Sequence, residues 1–222
     1  MIAGSSPLRA VVVQADPGWA EQGQALAEAL GTTLGPLAVR VEHIGSTAIA
    51  GMAAKAVFDL QVSVEDLDDA AEAFTEPLAR LGFTRMPYHQ DHVPAGRADD
   101  PARWVKRFWV RRGKPAADVH LHVRRIGNPN ERAALLFRDW FRAHPDAIAA
   151  YARFKSMLAE AVPDAASYAE VKDPVVDLIL VVAERWAQDT GWRVWRGPQP
   201  AAECPGHEPP APDRERSAPV RE

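Results

Sequence analysis

A single cysteine, Cys204, stands in a chain of 222 residues, so no disulfide can form within it, and a lone thiol fits a reducing compartment. Neither sign of charge dominates: 26 Lys and Arg stand against 30 Asp and Glu, a formal charge of -4. That balance excludes a global pull toward nucleic acid or an anionic membrane surface, and any such binding would need a local patch. No apolar run approaches the length that spans a bilayer, and the N-terminus lacks a basic stretch followed by an apolar one. The expectation is a cytoplasmic protein without membrane association. No internal repeat is present. Hydrophobic residues make up 47% and charged residues 25%, an ordinary globular composition with enough apolar material for one substantial core or two small ones.

What the chain does hold is a dense stretch from Val39 to Val64. It opens as a strand, with Val39, Val41 and His43 alternating with Arg40, Glu42 and Ile44. It then breaks into Gly45-Ser46-Thr47, a small-residue turn of the kind that brings backbone N–H groups close to a ligand. After Gly51 and Lys55 the chain is apolar and β-branched again, with one carboxylate, Asp59, in its middle. An acid inside an apolar strand must be paired, protonated or metal-bound, because an isolated buried charge is very costly. A Gly-Ser turn followed by a strand acid is thus a phosphate-and-metal arrangement, the turn holding oxyanions and the acid a hard cation. The plainer reading is a tight turn with Asp59 satisfied by a neighbouring arginine.

Around this stretch the pattern alternates helices and strands. Asp16-Pro17 reads as a helix start, with Trp19, Leu26 and Leu30 on the apolar side and Gly31 as the stop. Glu65 to Asp69 is an acid-rich start for a helix running toward Leu81, and its acids read as a solvated first turn. Phe83 to Met86 is a short strand. Residues 87–102 carry three prolines and read as a mobile loop, its His89, Asp91 and His92 simply solvated. Arg103 to Arg112 alternates as a strand with Trp104, Lys106, Phe108 and Val110 on one side and Val105, Arg107, Trp109 and Arg111 on the other. Both sides mix aromatics with cations. Lys106 or Arg107 would then neutralise a phosphate, or the cations would guard an exposed sheet edge. Gly113-Lys114-Pro115 is the turn into the next strand.

That next strand, Ala117 to Arg124, puts Asp118, His120 and His122 on one side and Val119, Leu121 and Val123 on the other. Three ligand-capable side chains face one way and three aliphatics the core. From Asn130 the pattern is helical as far as His144-Pro145. A second helix runs from Asp146 to about Val162. Asp173-Pro174 reads as the start of a third, continuing to Trp186. Beyond Gly197 the chain is rich in proline and poor in bulky apolar residues, so residues 197–222, with Cys204 and His207, are expected to be disordered.

Two long segments carry a resemblance. HIGSTAIAGMAAKAVFDLQVSV, and VHLHVRRIGNPNERAALLFRDWFRAHPDAIAAYARFKSMLA with Tyr168 and Lys172 after it, resemble the signatures of the GrpB-like family, in the family's order, over about residues 10–188. The resemblance implies an α+β nucleotidyltransferase-like fold, a mixed sheet flanked by helices and followed by a C-terminal helical segment. It implies a lead-in over residues 1–9, a core over 10–126 and a helical part of the same domain over 127–196. A related domain is fused to some bacterial dephospho-CoA kinases.

The function so implied is metal-dependent transfer of a nucleotidyl group from an NTP to an unknown small-molecule or protein acceptor, with an adenylate intermediate if the chemistry is of the ligase type. His43, Gly45, Ser46 and Thr47 would hold phosphate. Asp59 would bind Mg²⁺ or Mn²⁺ with His120 and His122, while Lys55, Lys106 and Arg107 stabilise developing charge. Arg138, Tyr168 and Lys172, with Lys155, would reach back over the cleft to a second substrate. One departure stands out. Nucleotidyltransferases carry a second acid two residues after the first, and here that residue is Gln61. An amide cannot supply the charge that holds two cations together, unless Glu42, Asp118, His120 or His122 compensates. Two alternatives follow: a non-catalytic nucleotide- or cofactor-binding module, or a metal-dependent phosphohydrolase using the two histidines.

Overall fold

The computed structural model describes residues 9–113 and 117–195. The lead-in 1–8, part of the turn at Gly113-Lys114-Pro115 and the Pro-rich tail lie outside the described residues.

The periodicities of the sequence become a five-stranded mixed sheet between two helical layers. The elements run α1 (Trp19–Leu34), β1 (Arg40–Ile44), β2 (Val57–Val64), α2 (Leu67–Arg80), β3 (Thr84–Arg85), β4 (Lys106–Arg111), β5 (Asp118–Arg125), α3 (Pro129–Ala143), α4 (Asp146–Ala161) and α5 (Ala165–Thr190). The strand order is β1-β2-β5-β4-β3, with β2 and β5 parallel and every other pair antiparallel. This is the α+β architecture the sequence predicts. Among the described residues no helix is long and apolar enough to cross a membrane.

Period two decides which face of the sheet each side chain takes. Phe58, Leu60, Val62 and Val64 on β2, with Val119, Leu121 and Val123 on β5, pack against Trp19, Leu30, Leu34, Phe74 and Leu78 of α1 and α2. Their neighbours in sequence therefore point to the opposite face, under α3, α4 and α5. On that side the turn after β1 supplies Ile49 and Met52 to a second core with Phe141 and Tyr151.

Several boundaries differ from the sequence expectation, among them the strand expected from Arg103, which begins at Lys106 because Arg103 and Trp104 lie in the 3-10 turn Pro101–Trp104. α1 does not stop at Gly31 but continues to Leu34 and ends at Gly35. Its buried row of Ala27, Leu30 and Leu34 crosses Gly31, so packing outweighs the roughly 1 kcal/mol that a helical glycine costs. Nor does Asp173-Pro174 begin a helix. α5 starts eight residues earlier in the chain, at Ala165, where the Asp164 carboxylate accepts from the Ala166 and Ser167 amides, and Pro174 lies inside it. The acid-rich start of α2 is as expected, with the Asp66 side chain accepting from the amides of Asp68 and Asp69.

The loop over residues 87–102 is not loose. Its Asp91 dips to the sheet, where it takes Lys106 Nζ at 2.6 Å, Arg124 Nε at 2.8 Å and Asn130 Nδ2 at 3.1 Å. The loop's other end is tied to α5, where the Asp177 carboxylate lies 2.8 Å from His92 Nε2 and accepts from the Ala95 amide at 2.9 Å.

Candidate active site

The parallel register sets Asp59 beside His120 and Gln61 beside His122. Asp59 Oδ1 lies 3.3 Å from His120 Nδ1 and 3.6 Å from His122 Nε2. All three side chains line a cleft of about 380 Å³ whose roof is α3, α4 and α5 and whose end wall is the Gly45–Thr47 turn. Gly45 holds φ +70°, and a Cβ built there would come within 2.6 Å of Asp59 Oδ2, so the turn lies directly against the carboxylate only because no side chain intervenes.

Burial works to raise the pKa of Asp59, but the hydrogen-bonding approach of His120 and then His122 outweighs it and holds the carboxyl well below its usual range. His122 goes the other way. Burial first, then the charges of Lys106 and Arg124, bring it to about 4, so it is neutral near pH 7. Its Nδ1 faces two donors, Lys106 Nζ at 3.3 Å and Arg124 Nη2 at 3.4 Å. Nδ1 is then the acceptor, which assigns the proton to Nε2, on the side of Asp59.

The lysines gather at the opposite end. Lys155 Nζ donates to Ser46 Oγ at 2.9 Å and lies 4.9 Å above the Tyr151 ring; it enters no ion pair among the described residues. Burial, then neighbouring Lys172, lowers its pKa to about 7. Lys55 Nζ lies 5.3 Å over the Tyr168 ring, and burial lowers its pKa although Asp59 works against this. Lys172 and Tyr168 complete that wall.

Three sequence candidates stand elsewhere. Arg107 alternates to the far face of β4, where it meets Asp68 of α2 at 2.5 Å, because Lys106 takes the cleft-side position. His43 points under the turn toward α1. Its Nε2 lies 2.8 Å from Thr47 Oγ1, which in turn donates to the Val57 carbonyl, so His43 braces the turn from behind. Arg138 does not line the cleft: it ties α3 to β1 through Glu42 at 2.5 Å and the His43 carbonyl at 3.0 Å. Lys106 is on the site side, but its ammonium is engaged by Asp91. Sequence reasoning missed Asp91 and Arg124. The signal was parity: Lys106 and Arg124 fall on one face of paired strands, and two cations there require a carboxylate.

The residues present do not fit the two-cation centre that the resemblance implies. Among the described residues no three His, Cys, Asp or Glu side chains are disposed around a common point as metal ligands would be. Gln61, at the second-acid position, is buried, its Oε1 accepting from Arg124 Nη1 at 2.6 Å. Of the four residues that could compensate, neither carboxylate does, since Glu42 pairs with Arg40 and Arg138, and Asp118 with Arg112; His120 and His122 stand beside Asp59 but bring no negative charge.

A small-residue turn, an acid on the strand that follows it, imidazoles on the neighbouring parallel strand and a lysine-lined wall across the cleft together define an α+β domain with a composite cleft on its sheet. The chain belongs to the GrpB family: residues 9–181 match that family, described as GrpB protein. It is 38% identical over 202 residues, 85% of this chain, to a dephospho-CoA kinase of Mycolicibacterium paratuberculosis, of which it covers 49%. It is 34% identical over 169 residues to the UPF0157 protein YqkA of Bacillus subtilis, 76% of this chain and 45% of that protein. The chain thus spans about half the length of these relatives. In structure it is similar to the conserved protein GrpB from Enterococcus faecalis, with a TM-score of 0.63 and 28% identity over 79% of this chain and 99% of that one.

Proposed function

We propose that the cleft binds the phosphate chain of a nucleoside triphosphate and that the protein transfers the nucleotidyl group to an acceptor. The observation that carries this reading is Lys155, a buried ammonium that meets no carboxylate within ion-pair distance among the described residues and donates to the Ser46 hydroxyl of the Gly45–Thr47 turn. A buried cation held this way lacks only an anion. Lys55 and Lys172 stand on the same wall. The β- and γ-phosphates lie there, and the α-phosphorus is directed toward Asp59.

An acceptor oxygen attacks the α-phosphorus, the bond from that phosphorus to the bridging oxygen breaks, and pyrophosphate leaves with its charge beside the lysines. The acceptor's proton passes to the imidazole of His120, and Asp59, kept ionised, stabilises the imidazolium as the carboxylate of a triad does. A second reading, a nucleotide-binding module without turnover, is favoured by the Gln61–Arg124 contact, which fills the second-acid position with a neutral, occupied group.

The test is a melting series with each NTP, with EDTA and with Mg²⁺ or Mn²⁺, beside a pyrophosphate-release assay with candidate acceptors. Transfer predicts a rise in Tm, release of pyrophosphate, and loss of release but not of binding in Asp59→Asn. Binding without release under any metal gives the second reading. No NTP raising the Tm under any condition overturns both.

A further inference from the structure

The cleft is divided by charge. At the lysine end Asp173 pairs with Lys172 at 3.4 Å, but Lys155 and Lys55 enter no ion pair among the described residues. At the other end the charged groups already satisfy one another: Asp91 engages Lys106 and Arg124, and Asp177 engages His92 and the Ala95 amide. The apolar lining here is Pro94 and Trp104 from the loop side, Ala133, Ala134 and Phe137 on α3, and Val176 and Leu180 on α5. An apolar slot between two helices suits an uncharged ring better than a second anion, since the cations at this end are already engaged among the described residues.

One polar atom in this wall lacks a partner. Trp104 is buried, and its indole Nε1 is closed off from water and meets no acceptor among the described residues. An unmet buried donor is costly and calls for an explanation. Trp104 ends the short 3-10 turn Pro101–Trp104, outside the sheet ladders and the long helices, with Arg97 5.9 Å over its ring, and its N–H is the unmet donor of this wall among the described residues.

We propose that this end is a nucleobase subsite, in which the ring slides between Ala133–Ala134 and Val176–Leu180 and an edge acceptor, a ring nitrogen or carbonyl oxygen, takes the Trp104 N–H. The inference rests on the phosphate reading above, and adds that the cleft recognises a heteroaromatic base rather than a bare polyphosphate. The discriminating group is a single donor, so bases are ranked by where their acceptors fall along the exposed edge.

Calorimetric titration with inorganic tripolyphosphate and with ATP, GTP, CTP and UTP separates the two layers. At least one NTP should bind about tenfold more tightly than tripolyphosphate. Trp104→Phe, which keeps the ring and removes the donor, should reduce that preference about fivefold while leaving tripolyphosphate affinity unchanged. Ala134→Leu fills the slot from α3 without touching Trp104, and should abolish the preference even if the Trp104 variant fails to fold. If every NTP binds no more tightly than tripolyphosphate, or if both variants keep the full preference, the base subsite is overturned and the phosphate site stands. If neither tripolyphosphate nor any NTP binds, both are overturned.

Discussion

Lys155 is a cation that the fold holds at a cost, and its titration exposes that cost. Folded, it loses its proton near pH 7; unfolded, it keeps it to about 10.5. Between those values the unfolded chain binds more protons, so stability rises with pH across that window. The groups facing it are Lys172 on α5, which opposes its charge, and Asp59 on β2, the Ser46 hydroxyl and the Tyr151 ring face, which favour it but do not outweigh burial. Lys155→Met should therefore stabilise the free protein by roughly 2–4 kcal/mol below pH 7, a gain that fades toward pH 10 in urea melts. The same substitution should weaken tripolyphosphate binding below pH 7 and flatten its loss above pH 7, because the anion draws on the protonated amine.

Parity made Asp59, His120 and His122 legible from the sequence: three residues at alternating positions of apolar strands have one face to share, and the parallel register brings them together. It could not choose between Lys106 and Arg107, since both faces of β4 mix cations with aromatics. The answer depended on Asp91, a loop residue whose partners arrive from β4, β5 and α3. No local pattern encodes a convergence of that kind.

At the scale of elements, two glycines of α1 should respond to alanine with opposite signs. A Cβ on Gly23 would stand 2.0 Å from the His43 ring, so Gly23→Ala forces His43 off the turn it braces and should destabilise by ~1–3 kcal/mol. A Cβ on Gly31 meets Val41 Cγ2 at an ordinary 3.7 Å, so Gly31→Ala should stabilise by up to ~1 kcal/mol. Thermal melts of the two variants check both signs, and equal signs would contradict the placement of α1. The same helix shows why boundaries were less legible than elements. A glycine reads as a stop when its neighbours are unknown, and Asp173-Pro174 reads as a start until Asp164 is seen to hold the first turn of α5.

For the molecule as a whole, the ion pairs on the cleft side join layers rather than decorate a surface. Arg40 meets Glu131 at 2.5 Å, Arg138 meets Glu42, and Arg142 donates to the Ala48 carbonyl at 2.9 Å, so α3 is fixed to β1 and its following turn along its length. Asp91 does the same for the loop. Asp91→Ala strands two buried cations and should cost ~3–5 kcal/mol in chemical denaturation, more than Asp68→Ala, which removes a carboxylate that is itself largely exposed. The Asp91 carboxyl is held well below its usual pKa; burial opposes this, and Arg124 and then Lys106 prevail. Its contribution is therefore complete above the ordinary carboxylate value and is lost as pH falls through the lower folded one. Wild type and Asp91→Ala should converge in strong acid.

The parallel pairing of β2 with β5 also sets an order of events at the ribosome. Asp59 and His120 are separated by roughly sixty residues, and the intervening segment includes α2, β3 and β4. A nascent chain exposes its turn and its carboxylate well before the imidazoles emerge, and the roof helices follow later still. The cleft is therefore complete only once α5 has emerged, and a stalled or prematurely released fragment ending before β5 would carry the turn and the carboxylate without the imidazoles or the roof lysines.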